Sequence, residues 1–317
     1  MRVLRVLAVL LSAAIALAAP RPAAAIDVGE RVQVHGYGNW SYGRTDGNSY
    51  MGGSEEGNYD NLEFSLSVTA QPADRFSVHA QAFWEIEEKS FESSMDFAFA
   101  EYSFSPALGV RLGRVKQPFG IYTEIFDVGT VYPFVSLAQG IYGDAGFVAE
   151  HFLGLGFTGR ILLGSGWSVQ YDLYGGEMES AYTTPWAGEE GEEEAATDIQ
   201  DMVGGRLVFT TPSLGTSCGI SAYTGSEDTE TFGEESENHR HTAYGAHVET
   251  FQGPLTLRAE YAHQDIGLAV NYFFSPNMVL KFAYHMVDGN RFTSVDDEDE
   301  EQDEETNLYT AGVSFSF

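Results

Sequence analysis

Three cations fall within six positions of the segment VRLGRVKQPFG, residues 110 to 120: Arg111, Arg114 and Lys116. If all three reach one face of a strand, they form a positive patch suited to anions or to the polar head of a solute. Strand parity sets Val110 and Leu112 on one face, but the next apolar residue is Val115. A β-bulge at Gly113 and Arg114 would restore the phase and turn the three cations the same way. Pro118 then ends the ladder, because it lacks the amide proton a central strand needs.

Other chemistry-bearing spacings lead nowhere. GTSCG at 215 to 219 matches the Gly-x-Ser-x-Gly nucleophile elbow, yet it enters a strand where that elbow needs a strand-to-helix turn. His247, His263 and His285 have no serine at the spacing a lipid-facing catalytic pair requires. His239 and His241 flank Arg240 beside an acidic loop, and no acidic run has the glycine and ligand spacing of an EF-hand. A single cysteine, Cys218, excludes an internal disulfide and cysteine-clustered metal sites. It shares parity with Ile220 and Ala222, as a small wall residue would. No catalysis, cofactor or metal is expected.

The elements that must hold the cations have a period of two. Leu62, Phe64, Leu66, Val68 and Ala70 alternate with Asn61, Glu63, Ser65, Ser67 and Thr69, and the pattern recurs to the end, where Tyr309, Ala311, Val313, Phe315 and Phe317 share a face. Fourteen candidate strands lie at roughly 30 to 43, 59 to 71, 75 to 88, 93 to 104, 108 to 117, 147 to 163, 167 to 177, 199 to 212, 216 to 226, 240 to 252, 254 to 264, 266 to 275, 277 to 288 and 306 to 317. Tight turns such as QPAD, SPALG, GSG and SPN all fall at one end, and the long connections at the other.

Segments of about ten alternating residues with this turn asymmetry are the signature of a transmembrane antiparallel up-and-down β-barrel. The all-β reading is a barrel of about fourteen strands, with twelve or sixteen as neighbouring counts. A soluble β-sandwich or a β-solenoid would share the alternation. Neither accounts for aromatic residues on the apolar face together with the turn asymmetry and an export signal.

That signal is MRVLRVLAVLLSAAIALAAPRPAAA: Arg2 and Arg5, an apolar run, then small residues, with cleavage expected before Ile26. The domain boundaries are therefore 1 to 25 for the signal peptide and 26 to 317 for the barrel, in the outer membrane of a Gram-negative type bacterium.

The chain has 16 Lys+Arg against 47 Asp+Glu, a formal charge of −31, which makes nucleic acid an unsuitable partner. Residues 177 to 198 hold eight acids, 226 to 239 hold six and 288 to 305 hold ten, all in long loops. Such runs are solvated, or meet anionic lipopolysaccharide through divalent cations. Parity places Arg160, Arg206, Arg258 and Lys281 on the polar face beside Glu63 and Glu85, because charge facing lipid would cost about 2 to 4 kcal/mol at mid-bilayer. With Arg111, Arg114 and Lys116 these form the expected pore lining and constriction.

The connection after that basic strand is unlike the others. Residues 119 to 146 include Ile121, Tyr122, Ile125, Phe126, Tyr132, Phe134 and Tyr142, so the segment should pack on protein. The inner barrel wall is the available surface, with a neighbouring subunit as the alternative.

RLGRVKQPFG entering a long loop, the glycine-rich FLGLGFTGR at 152 to 160 and the Phe-terminated last strand resemble the phosphate-selective porin family of outer-membrane proteins. The resemblance covers residues 60 to 175 and the C-terminus. It implies a water-filled channel, often trimeric, with basic residues and an infolded loop at the constriction. The expected function is passive diffusion of small hydrophilic solutes or ions through a homo-oligomer. Weak anion preference is expected at high salt, fading or reversing at low salt. A non-conducting adhesive barrel, or a transporter for hydrophobic compounds, is the alternative.

Overall fold

The computed structural model describes residues 26–27, 31–47, 53–87, 90–125, 142, 150–180, 197–212, 215–229, 239–252, 255–260, 265–275, 278–288 and 305–316. Two short strands, β1 (Ile26–Asp27) and β3 (Gly53–Ser54), accompany fourteen long ones. These are β2 (Val32–Thr45), β4 (Asn58–Ala73), β5 (Phe76–Glu87), β6 (Ser90–Ser105), β7 (Leu108–Lys116), β8 (His151–Gly164) and β9 (Trp167–Ser180). The chain continues with β10 (Thr197–Thr210), β11 (Ser217–Thr229), β12 (His239–Gln252), β13 (Leu255–Glu260), β14 (Asp265–Ser275), β15 (Met278–Asp288) and β16 (Glu305–Ser316). The strand count matches the expected fourteen. The expected signal peptide and the three acidic loop centres lie outside the described residues.

All fourteen belong to one antiparallel sheet in which consecutive strands pair, β13 and β14 excepted, and the last strand pairs with the first long one: β16 lies against β2 with Phe315 opposite Gly38 and Leu308 opposite Thr45. An even number of strands is what lets an antiparallel sheet join its two ends this way. The ends of the pairing order are β13 and β14, which are successive in sequence. No helix among the described residues is long and apolar enough to cross a membrane, a statement about helices alone.

Burial alternates as the sequence does. On β16, Thr306, Leu308, Thr310 and Ser314 are buried, while Tyr309 and Phe315 are exposed. The exposed face is apolar along its middle, with Leu112, Leu155, Leu173, Val203, Leu207 and Ile220. Aromatic residues flank that band at both ends. Tyr102 and Phe104 pair at 4.8 Å, and Trp167 and Phe209 at 6.1 Å, beside the short turns; Tyr284 and Tyr309 pair at 5.1 Å near the long loops. Two aromatic girdles around an apolar band are the lipid-facing pattern of a barrel.

The short turns are built for tight reversal. Between β8 and β9 the central residues Ser165 and Gly166 have φ of 51° and 83°, the left-handed pair of a two-residue hairpin. At the first short turn, Arg31 Nη1 donates to the Pro72 carbonyl at 2.9 Å and Nη2 reaches Asp74 Oδ1 at 3.4 Å.

One expected irregularity is displaced. Pairing runs unbroken through Gly113 and Arg114 on both sides of β7, opposite Phe99 and Ala98 on β6 and Gly154 and Leu153 on β8. The register shift lies instead between β5 and β6, where Gln81 faces Phe97 and Ala82 faces Met95, leaving Asp96 as the extra residue. Gly113 does take φ 130°, which only glycine accepts readily, and a Cβ there would come within 2.4 Å of the Ala98 carbonyl oxygen.

Candidate functional site: the infolded loop and its charged cradle

The chain leaving β7 turns inward at once. Phe119 and Tyr122 are buried with Val115, Phe152, Tyr174, Met178, Ile199, Met202, Tyr223, Ala243 and Tyr142 in one apolar cluster on the inner faces of β7 to β12. Two glycines make room: a Cβ on Gly204 would strike the Tyr174 ring at 2.6 Å, and one on Gly245 would come within 3.1 Å of Phe119. The described part of the loop, residues 117 to 125 and Tyr142, thus packs on the inner wall rather than on a neighbouring subunit. The remainder of the expected 119 to 146 segment lies outside the described residues.

Hydrogen bonds fix its backbone. Gly120 N donates to Ser221 Oγ at 3.0 Å, Thr123 Oγ1 to the Phe119 carbonyl at 2.7 Å, and Ile121 N to the Tyr142 hydroxyl at 3.3 Å. Gln117 Nε2 donates to the Tyr174 hydroxyl at 3.4 Å.

Charge holds the next turn. Glu124, in a 3₁₀ turn at Thr123–Ile125, places one carboxylate oxygen 3.4 Å from Arg111 Nη1 and accepts a short hydrogen bond from Arg206 Nη2 with the other. Arg111 Nε also donates to Glu101 Oε2 at 2.8 Å, and its guanidinium lies 5.6 Å from the Phe99 ring centre. Arg206 Nη2 donates to Asp172 Oδ2 at 2.9 Å and Nη1 to the Gly120 carbonyl at 3.4 Å. Thr158 Oγ1 donates to the other oxygen of Asp172 at 2.7 Å. Burial alone would raise the Glu124 carboxyl, but Arg206 and Arg111 outweigh it and hold the group below its ordinary value. Two guanidiniums therefore face three carboxylates.

The remaining expected pore residues are distributed as follows. Arg114 stands opposite Leu153, which is 59% exposed on the apolar face, so register sets it on the outward side; its Nε donates to the Asp96 carbonyl at 3.3 Å. Lys116 is buried with its ammonium 2.5 Å from Asp96 Oδ1 and 3.4 Å from Glu150 Oε2. The three cations of the basic segment are thus not a common patch: Arg111 alone joins the loop cradle. Arg160 shares inward parity with Thr158 but is exposed toward the short-turn end. Glu63 accepts from Tyr37 Oη at 3.0 Å and Asn39 Nδ2 at 3.3 Å, and stands opposite Glu85. Lys281 is fully buried, within electrostatic range of Glu63. Arg258 stands opposite Glu249 in the register.

Asp96, Glu150 and His151 each bring a ligand-type atom within 4.8 Å of the others, the one such group among the described residues. The Lys116 ammonium already supplies a cation to its two carboxylates. The serine motif assembles no triad: Ser217 Oγ donates directly to Glu249 Oε1 at 3.3 Å, and His247 lies opposite Gly219. Cys218 is exposed on the face of Ile220.

Sequence reasoning undervalued the acids. Asp172 falls on the polar face of its strand by parity, but spacing does not single out Glu101 or Glu124. The available signal was Glu124 itself, an acid in the otherwise uncharged stretch from Gln117 to Phe126.

Comparison with solved structures gives OprB of Pseudomonas putida at TM-score 0.54 and 9% identity, over 90% of this chain and 94% of that one. The outer membrane channel DcaP of Acinetobacter baumannii gives 0.48 at 10% identity, over 93% and 100%. OmpT, an outer membrane protein of Vibrio cholerae, gives 0.46 at 8% identity, over 93% and 100%. No family model and no curated protein matches the sequence. The likeness to OprB is one of fold alone, and with the single antiparallel sheet and its outward apolar band it makes this chain an outer-membrane-type β-barrel.

Proposed function

We propose that this chain is an outer-membrane channel through which small hydrophilic solutes or ions pass by diffusion, with no catalytic step. The observation that carries the reading is the loop after β7, folded against the inner wall and clamped there by Arg111, Glu124 and Arg206. A loop that packs on protein inside the barrel narrows the lumen at a defined level and lines that level with charge. Neither an adhesive barrel nor a barrel closed by its own side chains needs this arrangement. Likeness to the phosphate-selective porins is the finer family reading, supported by RLGRVKQPFG and FLGLGFTGR; it extends to the channel architecture and not to phosphate specificity, which the acidic loops oppose. Export through the N-terminal signal, assembly as a homotrimer, and contact of the acidic loops with lipopolysaccharide through divalent cations belong to the same reading.

Planar-bilayer recording is the test. Stepwise, ohmic openings are expected from purified folded protein, with larger conductance once residues 119 to 146 are deleted. A heat-modifiable, folded barrel that never conducts would overturn the reading in favour of a structural or adhesive role.

A further inference from the structure

The basic segment that suggested anion preference does not offer its charge to a passing solute. Arg111 is held by Glu101 and Glu124, Arg206 by Asp172 and Glu124, and Lys116 by Asp96 and Glu150. Arg206 and Asp172 are both almost wholly buried, so their pairing persists where water and salt screen least. Taken as a unit, the cradle of the infolded loop has two guanidiniums and three carboxylates, an excess of negative charge. Further round the inner wall, Glu63 and Glu85 stand opposite each other with the Lys281 ammonium in electrostatic range of Glu63.

From this geometry we infer that the channel prefers cations, and that Glu101, Glu124 and Asp172 set the preference by over-neutralising Arg111 and Arg206. The inference rests on the channel reading above. It concerns the narrow level and not the acidic loops, which raise cation concentration only at the mouth and only within a Debye length.

The physical basis is the field at the loop. A cation passing the cradle meets a net negative charge, whereas an anion meets guanidiniums already ion-paired to carboxylates. Salt separates the two sources. At ~1 M the Debye length is about 3 Å, which silences exposed loops but not groups in a confined, partly dry site.

The experiment is the reversal potential of reconstituted full-length protein across a KCl gradient, measured near ~0.1 M and again near ~1 M. A cation-to-anion permeability ratio above one at both concentrations is expected. Glu101→Gln, which leaves the Glu124 clamp in place, should lower the ratio by about twofold or more, and Arg111→Gln should raise it. A ratio below one, a cation preference that vanishes at the higher salt, or two variants that shift the ratio in the same direction would each overturn the inference while leaving the channel reading intact. A folded barrel with no conductance would overturn the channel reading instead.

Discussion

The inner faces of β7 to β12 and those of β16, β2 and β4 both carry polar residues inward, but they stabilise them by different means. The first arc receives a loop. Its polar groups are ion-paired across long sequence separations, Arg206 to Glu124 and Asp172 for example, and an aromatic cluster seals them. The second arc is stitched by neutral or single-charge hydrogen bonds between neighbouring strands. Ser314 Oγ donates to Asn39 Oδ1 at 2.9 Å, and Tyr37 and Asn39 donate to Glu63. Strand neighbours satisfy each other cheaply because register places them together, whereas a charged loop turn must bring its own counter-charge to be buried.

The largest difference between the arcs should come from Arg206→Met. Removing that guanidinium leaves Asp172 buried without its ion-pair partner and Glu124 with Arg111 alone, a loss of about 3 to 5 kcal/mol. Urea unfolding in detergent should show the drop, and single-channel conductance should rise as the loop loosens. If stability holds and conductance is unchanged, the clamp does not secure the loop.

Acidification should also act on this arc. The folded-state carboxyl of Glu124 lies below its ordinary value, so its contribution to stability is complete above the usual carboxylate range, about pH 4, and is lost as pH falls through the lower folded value. Conductance should therefore be steady from neutrality to about pH 4 and change below it, and Glu124→Gln should remove that acid-dependent change. A transition centred near neutrality would point to a histidine instead.

On the stitched arc, Ser314→Ala removes one buried hydroxyl and should cost about 1 kcal/mol in urea unfolding with little effect on conductance. A conductance change as large as that of Arg206→Met would erase the distinction between the arcs. Smallest of all is Arg31→Ala at the exposed short turn, where the Asp74 pair is worth about 0 to 1 kcal/mol and should be undetectable at high salt.

Much of the barrel was legible in the order of residues. A lipid-facing wall forbids charge on alternate positions, so Leu62, Phe64, Leu66 and Val68 against Glu63, Ser65 and Ser67 already fix the face of β4, and Glu63 does bond Tyr37 and Asn39. Turn chemistry at GSG and SPALG marked the short-turn end for the same reason, since tight reversals need left-handed glycine or a proline-preset φ. The apolar content after Pro118 was equally decisive: residues such as Phe119 and Tyr122 needed protein around them, and the described part of the loop has it.

What lay beyond the sequence was phase and pairing. A local reading placed the bulge on β7, where the apolar alternation slips, and so turned Arg114 and Lys116 with Arg111. The register instead absorbs the extra residue at Asp96 on the neighbouring β6, which no inspection of β7 can reveal, and Arg114 stands opposite the exposed Leu153. Which acids meet Arg111 and Arg206 was likewise a tertiary decision. Glu101, Glu124 and Asp172 are separated along the chain by a whole loop and strand, and only barrel curvature with the inward fold of the loop brings them around two guanidiniums. The alternation that defines a strand is a local, period-two property written residue by residue, while the charge balance at the narrow level is a sum over strands and a loop that exists only once they are folded together.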